Sequence, residues 1–213
     1  MRKIAFIAAL LLSLCFAACK KETPRLDGQS WDPHLPGHIL NGSDDSPVRI
    51  EVFSDLQCPG CRELFIRILK PAMKEYQDKI SVVYYEFPLS GHQYARPAAQ
   101  YVAAANKLGQ RQALSVYDAI FNDQVYWAID GSLENSVAKA LSDEDFQRVR
   151  RILQDRASLA EINETIEKEY LLGMHKGVNS TPTVFISHGG MEQKIEGAPS
   201  YQILKQFLDP LVK

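Results

Sequence analysis

The segment Cys58-Pro59-Gly60-Cys61 constrains this chain more than any other feature. Ahead of it, Val48 to Phe53 is apolar and β-branched around Arg49 and Glu51, which reads as a strand. A turn at Ser54-Asp55 follows. Behind it, Leu64, Phe65, Ile68, Leu69, Ala72 and Met73 recur at helical spacing, and Pro71 is expected to kink or interrupt that helix. The spacing therefore sets both sulfurs on a first helical turn, within reach of each other. A C-x-x-C between a strand and a helix is a redox motif in physical terms. Cys58 meets unpaired N–H groups and the positive end of the helix dipole, which stabilise a thiolate. The thiolate is the species that attacks disulfides and leaves from them. Pro59 suits the first turn because its missing N–H would have no partner there, and Gly60 adds freedom without charge.

The rest of the chain fits around that unit. Ile80 to Phe87 is again strand-like, and the helix before it supplies the crossover that a parallel pair needs. From about residue 92 to 176 the pattern is helix alone. Ala98 to Ala105 mark one helix, Ala113 to Phe121 a second, Ser136 to Leu141 and Phe146 to Leu153 two more. Ile162 to Met174 mark a last one, which Gly173 or Gly177 could stop. Strand character returns at Thr183 to Ile186 and, past a His188-Gly189-Gly190 turn, at Glu192 to Ile195; Tyr201 to Leu211 closes as helix. The fold class is therefore α/β, with residues 38–91 and 177–213 as one unit and 92–176 as an inserted helical domain. That insertion accounts for a length of 213 residues. A content of 46% hydrophobic and 23% charged residues excludes disorder, collagen and coiled coil. A net charge of −2 gives no electrostatic pull on nucleic acid.

The N-terminus reads as an address. Arg2 and Lys3 precede an apolar run, Ile4 to Ala18, broken only by Ser13. The run is shorter than the roughly 20 residues of a membrane span. Phe16-Ala17-Ala18-Cys19 resembles a bacterial lipoprotein box, in which Cys19 is acylated after residues 1–18 are removed. An ordinary cleaved signal with a leftover cysteine is the other reading. Residues 19–37 then form a lipid anchor and tether that spans roughly 25 Å, although Trp31 and Leu35 are apolar enough to pack onto the domain. Export leaves Cys58 and Cys61 as one thiol pair where disulfides persist. Other readings of the pair remain open. A structural disulfide across two residues removes little chain entropy. A metal site lacks a second C-x-x-C or an H-x-x-x-H, and His92 would complete only a low-coordinate soft-metal site. An inert pair fits poorly with export. No metal and no organic cofactor is expected.

Phe53-Ser54-Asp55-Leu56-Gln57-Cys58-Pro59-Gly60-Cys61 resembles the active-site segment of the DsbA-like thiol-disulfide oxidoreductases. These are envelope proteins with a thioredoxin-like fold that carries an all-helical insertion between its two halves. Val178-Asn179-Ser180-Thr181-Pro182-Thr183-Val184-Phe185-Ile186 resembles the second signature of that family, and Phe87-Pro88 with the alanine-rich helix after His92 matches the start of its insertion. The resemblance covers about residues 38–213. It implies Cys58 and Cys61 as catalytic residues, Pro59 and Gly60 as the motif between them, and a cis proline at Pro182 lying against the pair. The backbone of Thr181 would then pair with an extended substrate. From sequence alone, a trans proline at the start of an edge strand fits as well. The implied partners are exported proteins with cysteine pairs, a membrane redox protein (a quinone-linked reoxidant or, for a reductase or isomerase, a membrane reductant) and the membrane itself. A monomer is implied. The strongest oxidants of the family carry histidine where Gly60 stands, so an intermediate potential is expected. A peptide- or copper-binding thiol module that does not turn over is a rival from another class.

One departure matters. Many relatives carry a buried acid six residues before the first active-site cysteine, where this chain has Val52. Glu51 is adjacent, but strand alternation sends it to the opposite face. Glu86, on the next strand, is the other candidate, and water a third. His92 is a candidate stabiliser of the Cys58 thiolate, against a reading as a helix-start or surface histidine. Met73, Met174 and Met191 read as core filler. Tyr84, Tyr85, Tyr94, Tyr101, Tyr117, Tyr126 and Trp127 read mostly as core or insertion packing, and Asp143-Glu144-Asp145 as a solvated helix start.

Overall fold

The computed structural model describes residues 35–212. The expected signal peptide, Cys19 and the tether up to residue 34 lie outside them. Apolar and β-branched runs build a five-stranded sheet of β1 (His38–Asn41), β2 (Val48–Ser54), β3 (Ile80–Glu86), β4 (Thr183–His188) and β5 (Met191–Glu196). Its order is β1-β3-β2-β4-β5. Strands β2 and β3 run parallel, with Val52 opposite Tyr84 and Ser54 opposite Glu86. The pairings β1–β3, β2–β4 and β4–β5 are antiparallel. Every residue of β3 is buried, because helices cover both faces of the sheet's centre, whereas β5 at the edge is largely exposed. Strand β1 is absent from the sequence expectation. Four residues are too short to display a period, and its tertiary partner β3 decides it.

The crossover from β2 to β3 is helical: α1 (Pro59–Leu64), a π turn (Phe65–Leu69) and α2 (Lys70–Tyr76). The interruption expected at Pro71 takes this form. A proline has no N–H to give to the carbonyl four residues back, and its ring collides with that carbonyl. The π turn widens the helix just before it, with the Lys70 N–H bonding Phe65 O.

Between β3 and β4 stand α3 (Ala95–Asn106), α4 (Gln110–Asn122), α5 (Gln124–Asp130), α6 (Leu133–Ala140), α7 (Asp143–Gln154) and α8 (Arg156–His175); α9 (Tyr201–Leu208) closes the chain. This is a thioredoxin-like fold with a helical insertion. Ser142 caps α7 by accepting from Asp145 N at 3.2 Å, with three acids in the first turn. Of the two glycines placed to stop α8, Gly177 lies beyond its end at φ +72°. Gly173 sits inside the helix instead, where a Cβ would come within 2.7 Å of the Phe87 ring. It lets α8 approach β3. Helix α5 is a second element that periodicity did not announce. Its Val125, Tyr126 and Ile129 are exposed while Trp127 is fully buried, so it carries no ordinary amphipathic stripe.

Two apolar clusters lie on the two faces of the sheet. The larger includes Val52, Cys61, Phe65, Tyr84, Tyr117, Phe121 and Trp127. The smaller holds Phe53, Val83, Tyr85, Phe87, Leu172 and Phe185, and Leu35 packs against it. Phe53 stacks on Tyr85 at 5.0 Å and meets Phe185 edge-on at 5.8 Å. Burying a side chain of this kind contributes about 1.5–3 kcal/mol. Three sequence readings need correction. Met174 and Met191 are exposed rather than core, because one lies on the outer side of α8 and the other on the edge strand, and Tyr126 faces solvent. No helix among the described residues is long and apolar enough to cross a membrane.

Candidate active site

The site is organised by a residue that spacing did not single out. Asp55 follows the last residue of β2 with its side chain fully buried. Its Oδ1 accepts from Gln57 N at 2.7 Å and Cys58 N at 3.1 Å. Its Oδ2 accepts from Leu89 N at 2.7 Å and from His92 Nδ1 at 2.9 Å. One carboxylate therefore ties the loop before α1 to the loop after β3. An acid two and three residues ahead of backbone N–H groups is the sequence signal of such a turn. Helix α5 holds the same loop from the other side. Gln124 Nε2 donates to Leu56 O at 2.7 Å and Cys58 O at 3.0 Å. Gln57 returns a bond from Nε2 to Ala128 O at 3.3 Å.

With the loop fixed, Cys58 becomes the N-cap of α1, at φ −74° and ψ 124°, with Pro59 in the first turn. Its thiol is half-buried, and Sγ lies 3.5 Å from Thr181 O. Hydrogen bonding from the Cys61 thiol pulls the Cys58 pKa down to about 5, against the opposing effect of burial. The Thr181 side chain and the N–H groups of Gly60 and Cys61 add to that pull. The Thr181 hydroxyl is buried and has no hydrogen-bond partner. Cys61 is the reverse case. It is fully buried in the larger cluster, and burial first, then its contact with Cys58, pushes its thiol far up. Two like side chains three residues apart thus differ in kind. The outer one is a ready thiolate and good leaving group, and the inner one strongly prefers its proton.

The peptide Thr181-Pro182 is cis. Pro182 lies over the motif so closely that a Cβ on Gly60 would stand 3.3 Å from Pro182 Cδ and 3.8 Å from Cys58 Sγ. Glycine at 60 leaves the approach to Cys58 open.

The structure separates the three candidate modulators. Glu51 is on the opposite face of the sheet, as alternation predicts. It accepts from Lys176 Nζ at 2.6 Å and Arg49 Nε at 3.1 Å. Burial raises its pKa, but these two cations outweigh burial and hold it below the ordinary value. It does not serve Cys61. His92 reaches the site through Asp55 rather than by a bond to Cys58. Since a carboxylate only accepts, His92 Nδ1 carries the proton of that bond. Glu86 is on the same face as Cys61 and fully buried; burial pushes it up to about 8, although Tyr117 Oη donates to it. Asp55, Gln57 and Gln124 are the residues sequence reasoning missed. Asp55 had a local signal, while Gln124 had none, since its role depends on where an unannounced helix docks. Among the described residues no cluster of three or more His, Cys, Asp or Glu is arranged to hold a metal ion.

Comparison with known proteins bears on the fold and family of the chain. A family model described as thioredoxin matches residues 34–210. The chain is 27% identical over 178 residues to the probable disulfide bond formation protein D of Bacillus anthracis, covering 81% of this chain and 77% of that one. It is 24% identical over 195 residues to the disulfide bond formation protein D of Bacillus subtilis, covering 88% and 82%. Among solved structures, oxidised BdbD from Bacillus subtilis superposes with a TM-score of 0.67 at 19% identity, covering 83% of this chain and 92% of that one. DsbA2 from Pseudomonas aeruginosa gives a TM-score of 0.63 at 24% identity, covering 82% and 94%.

Proposed function

The chain belongs to the thioredoxin family and is a DsbA-like thiol-disulfide oxidoreductase, and from that premise we propose that it is an exported disulfide oxidase. Its substrates are exported proteins with pairs of cysteines. Cys19 carries the lipid that holds it at the envelope, facing the periplasm or outer surface, and residues 19–37 are the tether. The domain of residues 38–91 and 177–213 carries the chemistry, with 92–176 inserted. The working unit is a monomer.

The reaction follows from the two unlike thiols. A substrate thiolate attacks Cys58 Sγ of the Cys58–Cys61 disulfide. That bond breaks, its electron pair leaves on Cys61, and Cys61 takes up a proton. A second substrate thiolate then attacks the substrate sulfur of the mixed disulfide. The substrate disulfide forms and Cys58 leaves as a thiolate. Both electrons come from the substrate sulfurs, and a membrane reoxidant, quinone-linked, later removes them. An extended substrate segment pairs with the backbone at Thr181, beside Pro182. Pro59 and Gly60 keep that approach unobstructed.

The observation that carries the reading is the depressed pKa of Cys58, about 5, beside a Cys61 that holds its proton. A stabilised thiolate favours the reduced protein, so its disulfide is given away readily. The test is the equilibrium reduction potential of the pair in a glutathione series. We expect a value between those of thioredoxin, about −270 mV, and DsbA, about −120 mV. Gly60 supplies no positive charge between the cysteines, which keeps the value below the upper end. A potential at or below that of thioredoxin would instead make the protein a reductant fed by a membrane donor.

A further inference from the structure

The described chain begins on the wall of a cavity. Glu51 of β2 stands opposite Val83 of β3, and alternation puts Glu51, Val83 and Tyr85 on the face of the smaller cluster, away from Cys61. With Arg49, Leu35, Ile39 and Asp44, the side chains of Glu51 and Tyr85 line a surface cavity of about 330 Å³.

One side of the cavity is polar and held in place. Arg49 donates from Nε to Glu51 Oε1 at 3.1 Å, from Nη1 to Asp44 Oδ1 at 3.0 Å and from Nη2 to Tyr85 Oη at 3.1 Å. All three nitrogens are engaged, so the guanidinium plane is fixed. A fixed planar guanidinium is a platform on which an aromatic ring stacks. The side chain of Asp44 is 78% exposed and keeps carboxylate lone pairs for a further donor. The other side is apolar: Leu35 and Ile39 pack against the smaller cluster and are only partly buried by it. An apolar wall, a flat cation and a spare acceptor together suit an aromatic side chain that carries one N–H, which is the chemistry of indole.

The path of the chain decides the occupant. Tyr85 Oη donates to Leu35 O at 3.1 Å and pins the first described residue to the cavity. The sequence ahead of it, residues 20–34, has one indole, Trp31. Four residues separate Trp31 from Leu35, and four residues span at most about 14 Å. Leu26, the other large apolar side chain of that stretch, is nine residues back and has no side-chain N–H. We infer that Trp31 docks into this cavity, its ring stacked on Arg49 and its N–H given to Asp44, so that the tether leaves the domain from the sheet face opposite the thiols. The consequence for the membrane rests on the Cys19 anchor proposed above. The free tether becomes residues 19–30, which span roughly 19 Å instead of roughly 25 Å. The anchor then pulls on the face away from the thiol pair, and the approach to Cys58 beside Pro182 stays clear.

The test reads Trp31 by fluorescence in the full chain, whose other tryptophan, Trp127, is fully buried. Subtracting the spectrum of Trp31→Phe isolates Trp31. Its emission should lie to the blue of the same residue in urea, and acrylamide should quench only a minor fraction of it. Arg49→Lys keeps the charge and loses the plane. It should lower the docked-to-free ratio of Trp31 by roughly 2- to 30-fold, the equivalent of a lost cation–π contact. Lys107→Ala, at the separate cavity beside His38, should leave Trp31 shielded. Emission as red and as quenchable as in urea would overturn the docking. So would a Trp31 that Lys107→Ala exposes and Arg49→Lys does not, since its seat would then be the other cavity. If Arg49→Lys does not fold, shown by circular dichroism, Asp44→Ala replaces it and should expose Trp31 in the same sense. A shielded Trp31 in an exported chain whose mass shows no lipid on Cys19 would support the docking and overturn the anchor, which keeps the two readings apart.

Discussion

Glu51 and Glu86 lie on the two central strands of one sheet, on opposite faces, and their surroundings have opposite effects. Glu51 is answered by Arg49 and Lys176, at 3.1 and 2.6 Å, and is fixed as a carboxylate. Glu86 has no lysine or arginine partner among the described residues, and its nearest acidic neighbours, Glu169 and Asp55, discourage a charge further. The same residue type becomes a structural anion on one face and a neutral acid on the other. Burial supplies the penalty in both cases, and the presence of a cation decides the outcome. The active-site cysteines repeat the lesson over a shorter distance, where the helix end and neighbouring donors stand in for the cation.

Stability against pH sharpens the contrast most. The folded pKa of Glu86 is raised from 4.5 to about 8. Between those values the unfolded chain has released a proton that the folded chain retains, so Glu86 makes stability fall as pH rises through that window. Glu86→Gln removes this dependence. Urea titrations at a series of pH values should show the variant gaining on the wild type between pH 4.5 and about 8, by up to several kcal/mol, and level beyond it. A difference that does not grow across this window would mean that Glu86 is not held neutral.

Glu51 should show the opposite sign. Its folded pKa is lowered, so its contribution is present above 4.5 and is lost as pH falls through the lowered value. Lys176→Met removes one of its two cations, and with it the ammonium that lies 4.2 Å over the Phe185 ring, while keeping an apolar side chain of similar length. At neutral pH this should lower stability by about 1.5–3 kcal/mol, as for a hydrogen bond to a charged group. The loss should shrink on acidification. Disulfide exchange should be unchanged, because Lys176 lies on the face away from the thiols. A variant with slowed exchange would show that the two faces are coupled.

What the sequence disclosed follows from how local each signal is. The Cys58 helix start, the strands β2, β3 and β4 and most of the insertion rest on runs and periods within single segments. Val52 in the acid position, with Glu86 as an alternative, was legible because alternation alone assigns faces. Strand β1, helix α5 and the clamp by Gln124 were not, since each exists only through a partner distant in the chain. Pro71 was read correctly as a disturbance, but its resolution as a π turn depends on packing. Gly173 was misread as a stop because its reason, the ring of Phe87, lies on another element.

The smallest expected effect isolates the thiolate side of the comparison. Thr181→Val keeps the shape of the side chain and removes the hydroxyl that helps hold the Cys58 pKa down. Without it the thiolate is less stable, so the reduced protein is less favoured and the potential moves in the reducing direction. Thr181 follows Cys61 among the groups lowering that pKa, so the shift should stay within about 30 mV, a tenfold change in the two-electron equilibrium. The potential of both proteins should also fall with pH along a line that bends where Cys58 titrates. Below that point two protons accompany the two electrons and the slope is about 59 mV per pH unit; above it one proton does and the slope is about 30 mV. The wild-type bend should lie near pH 5, and Thr181→Val should move it upward. A lowered potential with an unmoved bend would place the hydroxyl's effect on the disulfide form, not on the thiolate.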